Sequence, residues 1–556
     1  MKSNHLSAGL LACTLLLVTA AAPALAGQTL LHNARIHTAD PDQPLAEAMV
    51  WGADGRLLAV GGTGALLARW PDARRIDAGG EAVVPGLIDA HAHLMNLGIA
   101  LMTADLSGAD SKAEVLRRLQ AFEATLGPDD WLLGRGWDQN RWPERDFPTA
   151  ADLDTAFPDR PVLLRRVDGH ADWANTAAMQ ATGRDFDGDW QPEGGRILRD
   201  DAGRATGVFI DARDLLEDAV PPQGRAWREE AFERALAEAV RLGITGVHDM
   251  GVSVSDLAIY RAFADAGRLP LRVTAYADGD REALQALCAF GHLQHPSLRL
   301  QMRGVKLYGD GALGSRGAAL IEDYSDDPGN RGLMVTAPDA LESAMRTALA
   351  CDVQVAAHAI GDRANRVMLE RMRRVLGERA DGDHRWRIEH AQIVAVEDIP
   401  RFATLGLIAS MQPTHATSDM PWAGDRVGPR RLAGAYAWRS FLDAGVPLAL
   451  GSDFPVEAVD PRLGLHAAVT RQDADGQPPG GWLPGQRLSL AEALAGFTAE
   501  AARAGFAEDV TGRLAEGMAA DFVVLGADPA QVPAADLLRL PVRSTWVDGQ
   551  PVFQAP

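Results

Sequence analysis

Three cysteines in 556 residues are too few for a disulfide framework. One of them, Cys13, sits in a segment that export would remove, so Cys288 and Cys351 allow one optional bridge at most. No run of basic residues interrupts a chain carrying 54 Lys and Arg against 75 Asp and Glu, a formal charge of −21. That balance offers no phosphate-binding face and argues against nucleic acid as a partner. Beyond the N-terminus no apolar stretch is long enough to span a bilayer. The chain has no Gly-x-Ser-x-Gly, and neither Cys288 nor Cys351 lies near a histidine-bearing strand end, so covalent-nucleophile chemistry has no candidate. Internal repeats and low-complexity segments are also absent.

The N-terminus does carry an apolar run. Lys2 and His5 form a short polar start, Leu6 to Ala22 follow, and Ala24-Leu25-Ala26 gives a small-x-small pattern before Gly27. This reads as a secretory signal over residues 1–26 with cleavage after Ala26. Cys13 falls in a lipoprotein-like Leu-Leu-Ala-Cys, but the apolar run continues past it. The expectation is a mature protein, periplasmic or secreted, with no membrane attachment after cleavage and with homo-oligomer formation left open.

At 556 residues with 47% apolar content, the chain is too long for one ordinary domain and apolar enough for a large core. From Thr29 to Glu81, short alternating segments punctuated by glycine read as a small antiparallel β unit. The same texture returns in residues 520–525 and 544–549, so the two ends are expected to share one β-sandwich, over 27–82 and 499–556. The middle alternates β-branched runs with helical stretches, the pattern of parallel βα units. Eight strand candidates can be counted: Val83 to His91, Gly246 to Met250, Leu271 to Ala277, Arg303 to Gly309, Val353 to His358, Arg385 to His390, Leu407 to Gln412 and Pro447 to Asp453. Eight is the number a closed (β/α)₈ TIM barrel requires, here over 83–104 and 243–498. The first gap is too long for one connection and carries a helix (Ser111 to Leu126) and strands (Asp130 to Arg135, Pro161 to Val167) of its own. It reads as an inserted α+β domain over 105–242, leaning over the barrel mouth.

His91-Ala92-His93 follows an apolar strand, where residues i and i+2 point the same way and both imidazoles can reach one metal ion. Lys306, His358, His390 and Asp453 fall at or near the C-terminal ends of strands four, five, six and eight, the end where TIM barrels place active sites. Each has an ordinary alternative: His358 and His390 as core histidines, Asp453 as a helix cap. Lys306 is the oddest, because a lysine among apolar strand neighbours must lose its charge, find a partner or be modified. Oxygen and nitrogen donors suit Zn²⁺, Mn²⁺, Fe²⁺ or Ni²⁺. Gly309-Asp310-Gly311-Ala312-Leu313-Gly314 matches a dinucleotide fingerprint, but it runs on into a loop instead of opening a helix, which excludes that reading.

Val83-Val84-Pro85-Gly86-Leu87-Ile88-Asp89-Ala90-His91-Ala92-His93 resembles the first-strand motif of the amidohydrolase superfamily. Gly134 to Asp138, Asp168 to Asn175, Lys306 to Gly311, Ala357 to Asp362, Ile388 to His390 and Gly451 to Pro455 extend the resemblance to its third family, which contains N-substituted formamide deformylases. It implies one or two divalent ions, zinc foremost. His91 and His93 would bind the more buried ion and His358 and His390 the other, with Asp453 touching the first and a carbamylated Lys306 bridging the two. The implied reaction is hydrolysis of a non-peptide carbon–nitrogen bond in a small-molecule amide, with Asp453 carrying the proton from water to the leaving nitrogen. Trp137 and His170, from the insertion, are candidates for closing the site over substrate, with ordinary packing as the alternative for Trp137. An ester, lactone or carbamate hydrolase or a deaminase could use the same centre. A metal-stabilised binding or regulatory protein is the non-enzymatic alternative, and it has no use for a proton shuttle.

Overall fold

The computed structural model describes residues 27–279 and 281–556; the signal segment read over residues 1–26 lies outside them. Eight parallel strands form the central barrel: β1 (Leu87–Ala92), β2 (Ile244–Val252), β3 (Arg272–Ala277), β4 (Leu300–Tyr308), β5 (Gln354–Ala359), β6 (Arg387–His390), β7 (Ile408–Met411) and β8 (Leu448–Leu450). They pair in chain order. Strands such as β1, β3 and β5 are buried at every residue, because helices cover the outside and side chains fill the inside. β8 and β1 meet just past their ends, where Asp453 N–H donates to the His91 carbonyl (2.7 Å) and His93 N–H to that of Phe454 (2.9 Å). Closure of the barrel thereby sets Asp453 beside His91 and His93.

The segment read as one strand from Val83 to His91 is two. Ala82–Pro85 belongs to the sandwich and Leu87–Ala92 to the barrel. Gly86 divides them at a close approach, since a Cβ there would stand 2.0 Å from the Thr245 hydroxyl. The two chain ends share a six-stranded sheet in which Ala82–Pro85 pairs antiparallel with Phe522–Leu525. A four-stranded sheet drawn from the N-terminal part faces it. The N-terminal unit is mixed and not purely antiparallel, because Thr29–His32 pairs parallel with Arg74–Asp77 and Arg35–His37 with Ala82–Pro85.

Two boundaries move. The helix Arg225–Arg241, read as part of the insertion, buries Ala231, Phe232, Ala235, Leu236, Ala239 and Val240 in the barrel core. Its apolar stripe at helical spacing makes it the crossover into β2, with Phe232 stacked on Tyr260 at 4.1 Å. At the other end, the helix Ala499–Ala504 packs Ala501, Ala502 and Ala504 against Ile88, Ala90, Ile408 and Ala449, so the barrel extends past residue 498. Cys288 and Cys351 form a disulfide with Cα atoms 5.3 Å apart, joining the helix Arg281–Phe290 to the end of the helix Pro338–Ala350. Among the described residues no helix is long and apolar enough to cross a membrane.

The insertion is built on a six-stranded sheet. One face packs under the helix Lys112–Glu123, which starts at the cap Ser111, and buries Trp137, Trp142 and Trp173. The other packs Leu163, Phe209 and Ala174 against the helix Thr176–Ala181.

Candidate metal centre

The barrel and the insertion enclose a cavity of about 1350 Å³, lined by His91, His93, Lys306, His358, His390 and Asp453 from the barrel side. Donor atoms of His91, His93 and Asp453 lie within 4.8 Å of one another, as do those of His390, His415 and Asp453. Asp453 belongs to both triads. The His93 Nε2 atom is 3.1 Å from Asp453 Oδ1 and His91 Nε2 is 3.6 Å from it, while His415 Nε2 is 3.3 Å from Oδ2. Lys306 Nζ stands 3.2 Å from His91 Nε2. His358 joins through ring contact with His390 at 4.6 Å. Two of these positions hold strained backbone, His390 at φ 70° and Asp453 at φ 64°, conformations that non-glycine residues keep only where the surroundings enforce them.

The surroundings also fix the tautomers. His91 Nδ1 donates to Glu389 Oε2 (2.6 Å), His93 Nδ1 to the Met250 carbonyl (2.9 Å), His390 Nδ1 to Gln412 Oε1 (2.8 Å) and His415 Nδ1 to Glu457 Oε1 (3.0 Å). With Nδ1 carrying the proton, the Nε2 atoms of His91, His93 and His390 present lone pairs to the centre, the arrangement that ligating histidines use. His415 differs: burial opposes its charge, but hydrogen bonds to Asp453 and Glu457 raise it to about 10, so its Nε2 donates to Asp453 Oδ2. Behind His91, fully buried Arg387 donates to Glu389, His248 Nδ1, the Ala90 carbonyl and Ser410. Burial opposes the charge of Glu389, but Arg387 and His91 hold its carboxyl well below the usual range. Breaking such a buried pair costs roughly 3–5 kcal/mol.

Charge is tuned toward ligation. Burial, reinforced by Lys306, pushes His91 down to about 4. His358 and His390 fall well below the ordinary histidine value through burial and then the charges of neighbouring histidines. These imidazoles are neutral at pH 7. Burial brings the Lys306 ammonium down to about 8. Asp453 is buried too, yet His91, His415 and His93 keep it ionised.

At this centre two buried donor atoms, Asp453 Oδ1 and His358 Nε2, have no hydrogen-bond partner among the described residues. Leaving such atoms unpaired costs about 1–3 kcal/mol each. Both are metal-donor types aimed into the cavity, so the residues present fit a divalent ion.

His170 reaches the cavity from the insertion, its ring 5.2 Å from that of His358 and its Nδ1 2.5 Å from Asp211 Oδ1. Trp137 does not. It is fully buried in the insertion core, its indole N–H donating to the Leu164 carbonyl (2.9 Å), with Trp142 and Trp173 around it. The reading of Trp137 as a substrate contact is therefore corrected to packing. His415, by contrast, escaped the sequence reading. It lies past the end of β7, in the helix Pro413–Asp419, and the only signal for it was a histidine three residues beyond a strand end. The loop that mimics a dinucleotide fingerprint is a clamp: Asp310 accepts from the N–H groups of Ala319, Ile360 and Gly361.

The comparisons with known proteins agree with this geometry. Residues 74–553 match the model of the amidohydrolase family. The chain belongs to that family. It is 34% identical over 531 residues to Bacillus subtilis YtcJ, covering 94% of this chain and 99% of the relative. It is 28% identical over 538 residues to the N-substituted formamide deformylase of Arthrobacter pascens, covering 93% of this chain and 96% of that enzyme. Among solved structures, an uncharacterized metal-dependent hydrolase from Pyrococcus horikoshii superimposes with a TM-score of 0.73 at 28% identity, over 91% of this chain and 99% of that one. This amidohydrolase is accordingly a metal-dependent hydrolase on a TIM barrel.

Proposed function

We propose that the protein is an exported hydrolase that cleaves a non-peptide carbon–nitrogen bond, an amide or N-acyl or N-formyl bond, using one or two zinc ions. The observation that carries this reading is Asp453, whose carboxylate belongs to both the His91/His93 and the His390/His415 triads and whose Oδ1 has no hydrogen-bond partner among the described residues. When bound, divalent ions supply Lewis acidity and lower the pKa of water toward neutrality. His91, His93 and His390 would hold them through Nε2, with His358 adding its orphaned Nε2 and Asp453 its carboxylate. Lys306 suits carbamylation: with its pKa near 8, about a tenth is free amine at pH 7, and the carbamate would turn a costly buried cation into an anionic ligand.

Asp453 accepts the proton of the attacking water at Oδ1 and returns it to the leaving nitrogen. His415, on Oδ2, holds the carboxylate in place during that exchange. His170 faces the cavity across from His358, within reach of a developing oxyanion, where a fixed donor in a dry site is most effective. The Cys288–Cys351 disulfide supports an oxidising, exported compartment. An ester or carbamate hydrolase would use the same residues. The choice of a carbon–nitrogen bond rests on the similarity to the formamide deformylase.

The test is metal analysis with a substrate panel. Purified protein should contain one to two equivalents of a divalent transition metal, hydrolyse N-acyl or N-formyl compounds faster than matched esters, and lose and regain that activity on chelation and zinc addition. Full activity in metal-free protein would end the proposal.

A further inference from the structure

The insertion wall of the same cavity holds an arrangement that the hydrolytic centre does not explain. On the insertion sheet, Arg135 and Arg165 are direct partners on neighbouring parallel strands, Leu132–Trp137 and Val162–Arg166. Both guanidinium groups crowd one spot, since a Cβ on Gly169 would lie 3.5 Å from Arg135 Nη2 and 3.6 Å from Arg165 Nε. Like charges placed side by side across strands are destabilising, and partial burial sharpens the cost.

The neighbouring arginines are neutralised. Arg166 is paired with Asp138 and Asp168, and Arg213 with Asp172 (2.8 Å) and Glu217 (3.1 Å). No such partner stands within ion-pair distance of Arg135 or Arg165 among the described residues. Arg135 donates through Nη2 to the Val167 carbonyl (3.1 Å), and Arg165 through Nε and Nη2 to that of Gly169 (3.1 and 2.8 Å). The Nε of Arg135 is buried with no partner at all. Burial and then the Arg165 charge push Arg135 down to about 9, against the opposing charges of Asp453 and Asp168.

We propose that Arg135 and Arg165 form an anion subsite in the cavity and that the substrate is an amide bearing a free carboxylate, of the N-acyl amino acid class. This rests on the amide-hydrolase reading above. Two guanidinium groups match the two oxygens of a carboxylate, and such a ligand supplies the directly paired anion that Asp168, Asp172 and Asp453, acting from farther away, do not. The scissile amide then lies toward His91 and Asp453, and the carboxylate toward the insertion, with both walls of one cavity in use.

Calorimetric titration of the metal-loaded full chain with hippurate (N-benzoylglycine) and with its methyl ester tests this. Wild type should bind the free acid at least roughly 10-fold more tightly than the ester, and in Arg135→Gln and Arg165→Gln that ratio should fall toward one, given the usual worth of a charge-assisted hydrogen bond. Thermal unfolding gives a second readout. Hippurate should raise the wild-type Tm and leave the variants unmoved, while ligand-free Arg135→Gln, relieved of repulsion, should melt no lower than wild type. Equal affinity for acid and ester in wild type, or an acid preference that survives both substitutions, overturns the subsite. Stronger competition by inorganic phosphate than by acetate overturns its assignment to a carboxylate. If the acid preference is present and lost in the variants but neither compound is hydrolysed, the subsite stands and the amide-hydrolase reading fails.

Discussion

On the barrel wall of the cavity, four histidines each commit Nδ1 to a neighbour and turn Nε2 inward around Asp453. On the insertion wall, Arg135 and Arg165 turn positive charge inward with backbone carbonyls as their hydrogen-bond acceptors. The first wall presents lone pairs and a carboxylate and is suited to cations. The second presents guanidinium groups and is suited to an anion. If both proposals hold, the barrel and the insertion divide the work: the barrel would carry the bond-breaking groups and the insertion the selection of substrate. Function on such a fold is argued from sites and not from the barrel itself.

The largest effect expected on the barrel wall comes from Lys306. If it is a carbamylated bridge, Lys306→Ala should lose bound metal and turnover together, and short carboxylic acids such as acetate should restore part of both. Metal content unchanged in Lys306→Ala would rule out a bridging role for Lys306. A smaller loss is expected from Glu389→Gln, which unties His91 without touching the cavity. Metal affinity should fall roughly 10- to 100-fold, as for other partners of ligating histidines, and equilibrium dialysis against zinc measures it. Unaltered affinity would show that Arg387 and Glu389 serve only the barrel core. The smallest effect is expected behind the insertion wall. Trp137→Phe gives up one buried indole hydrogen bond, worth about 0.5–1.5 kcal/mol, so denaturant unfolding should shift modestly while KM stays unchanged. A raised KM with unaltered stability would return Trp137 to the substrate.

Trp137 shows where the sequence stops being legible. Its motif, Gly134-Arg135-Gly136-Trp137-Asp138, sits at a strand end, and in a regular strand Arg135 and Trp137 would share a face. The register shifts between them, so that Arg135 is level with Arg165 and Trp137 with Arg166. Gly136, at φ 108° and 2.6 Å from Ser107 Oγ at its ideal Cβ, makes that bulge possible. A one-residue shift exchanges which side chain meets the cavity, and only the glycine hints at it.

The barrel was easier to read. Its strands are short runs of buried residues whose ends carry His91, Lys306, His358 and His390, so a count of strand ends located both fold and cavity. His415 was invisible to that count because it projects from a helix, and the insertion's limit was misjudged because the stripe of Arg225–Arg241 does not announce which core it covers. The pairing of Arg135 with Arg165 depends on tertiary register alone.

Proton transfer by Asp453 in a metal-dependent hydrolysis is tested by measuring metal content and turnover on one preparation of Asp453→Asn. The amide oxygen can still coordinate weakly but cannot accept the proton, so the account predicts most of the metal retained and turnover on a good amide substrate reduced by roughly 10²-fold or more, the usual scale of general acid–base catalysis. Near-normal turnover would contradict it and leave Asp453 a spectator at the barrel seam.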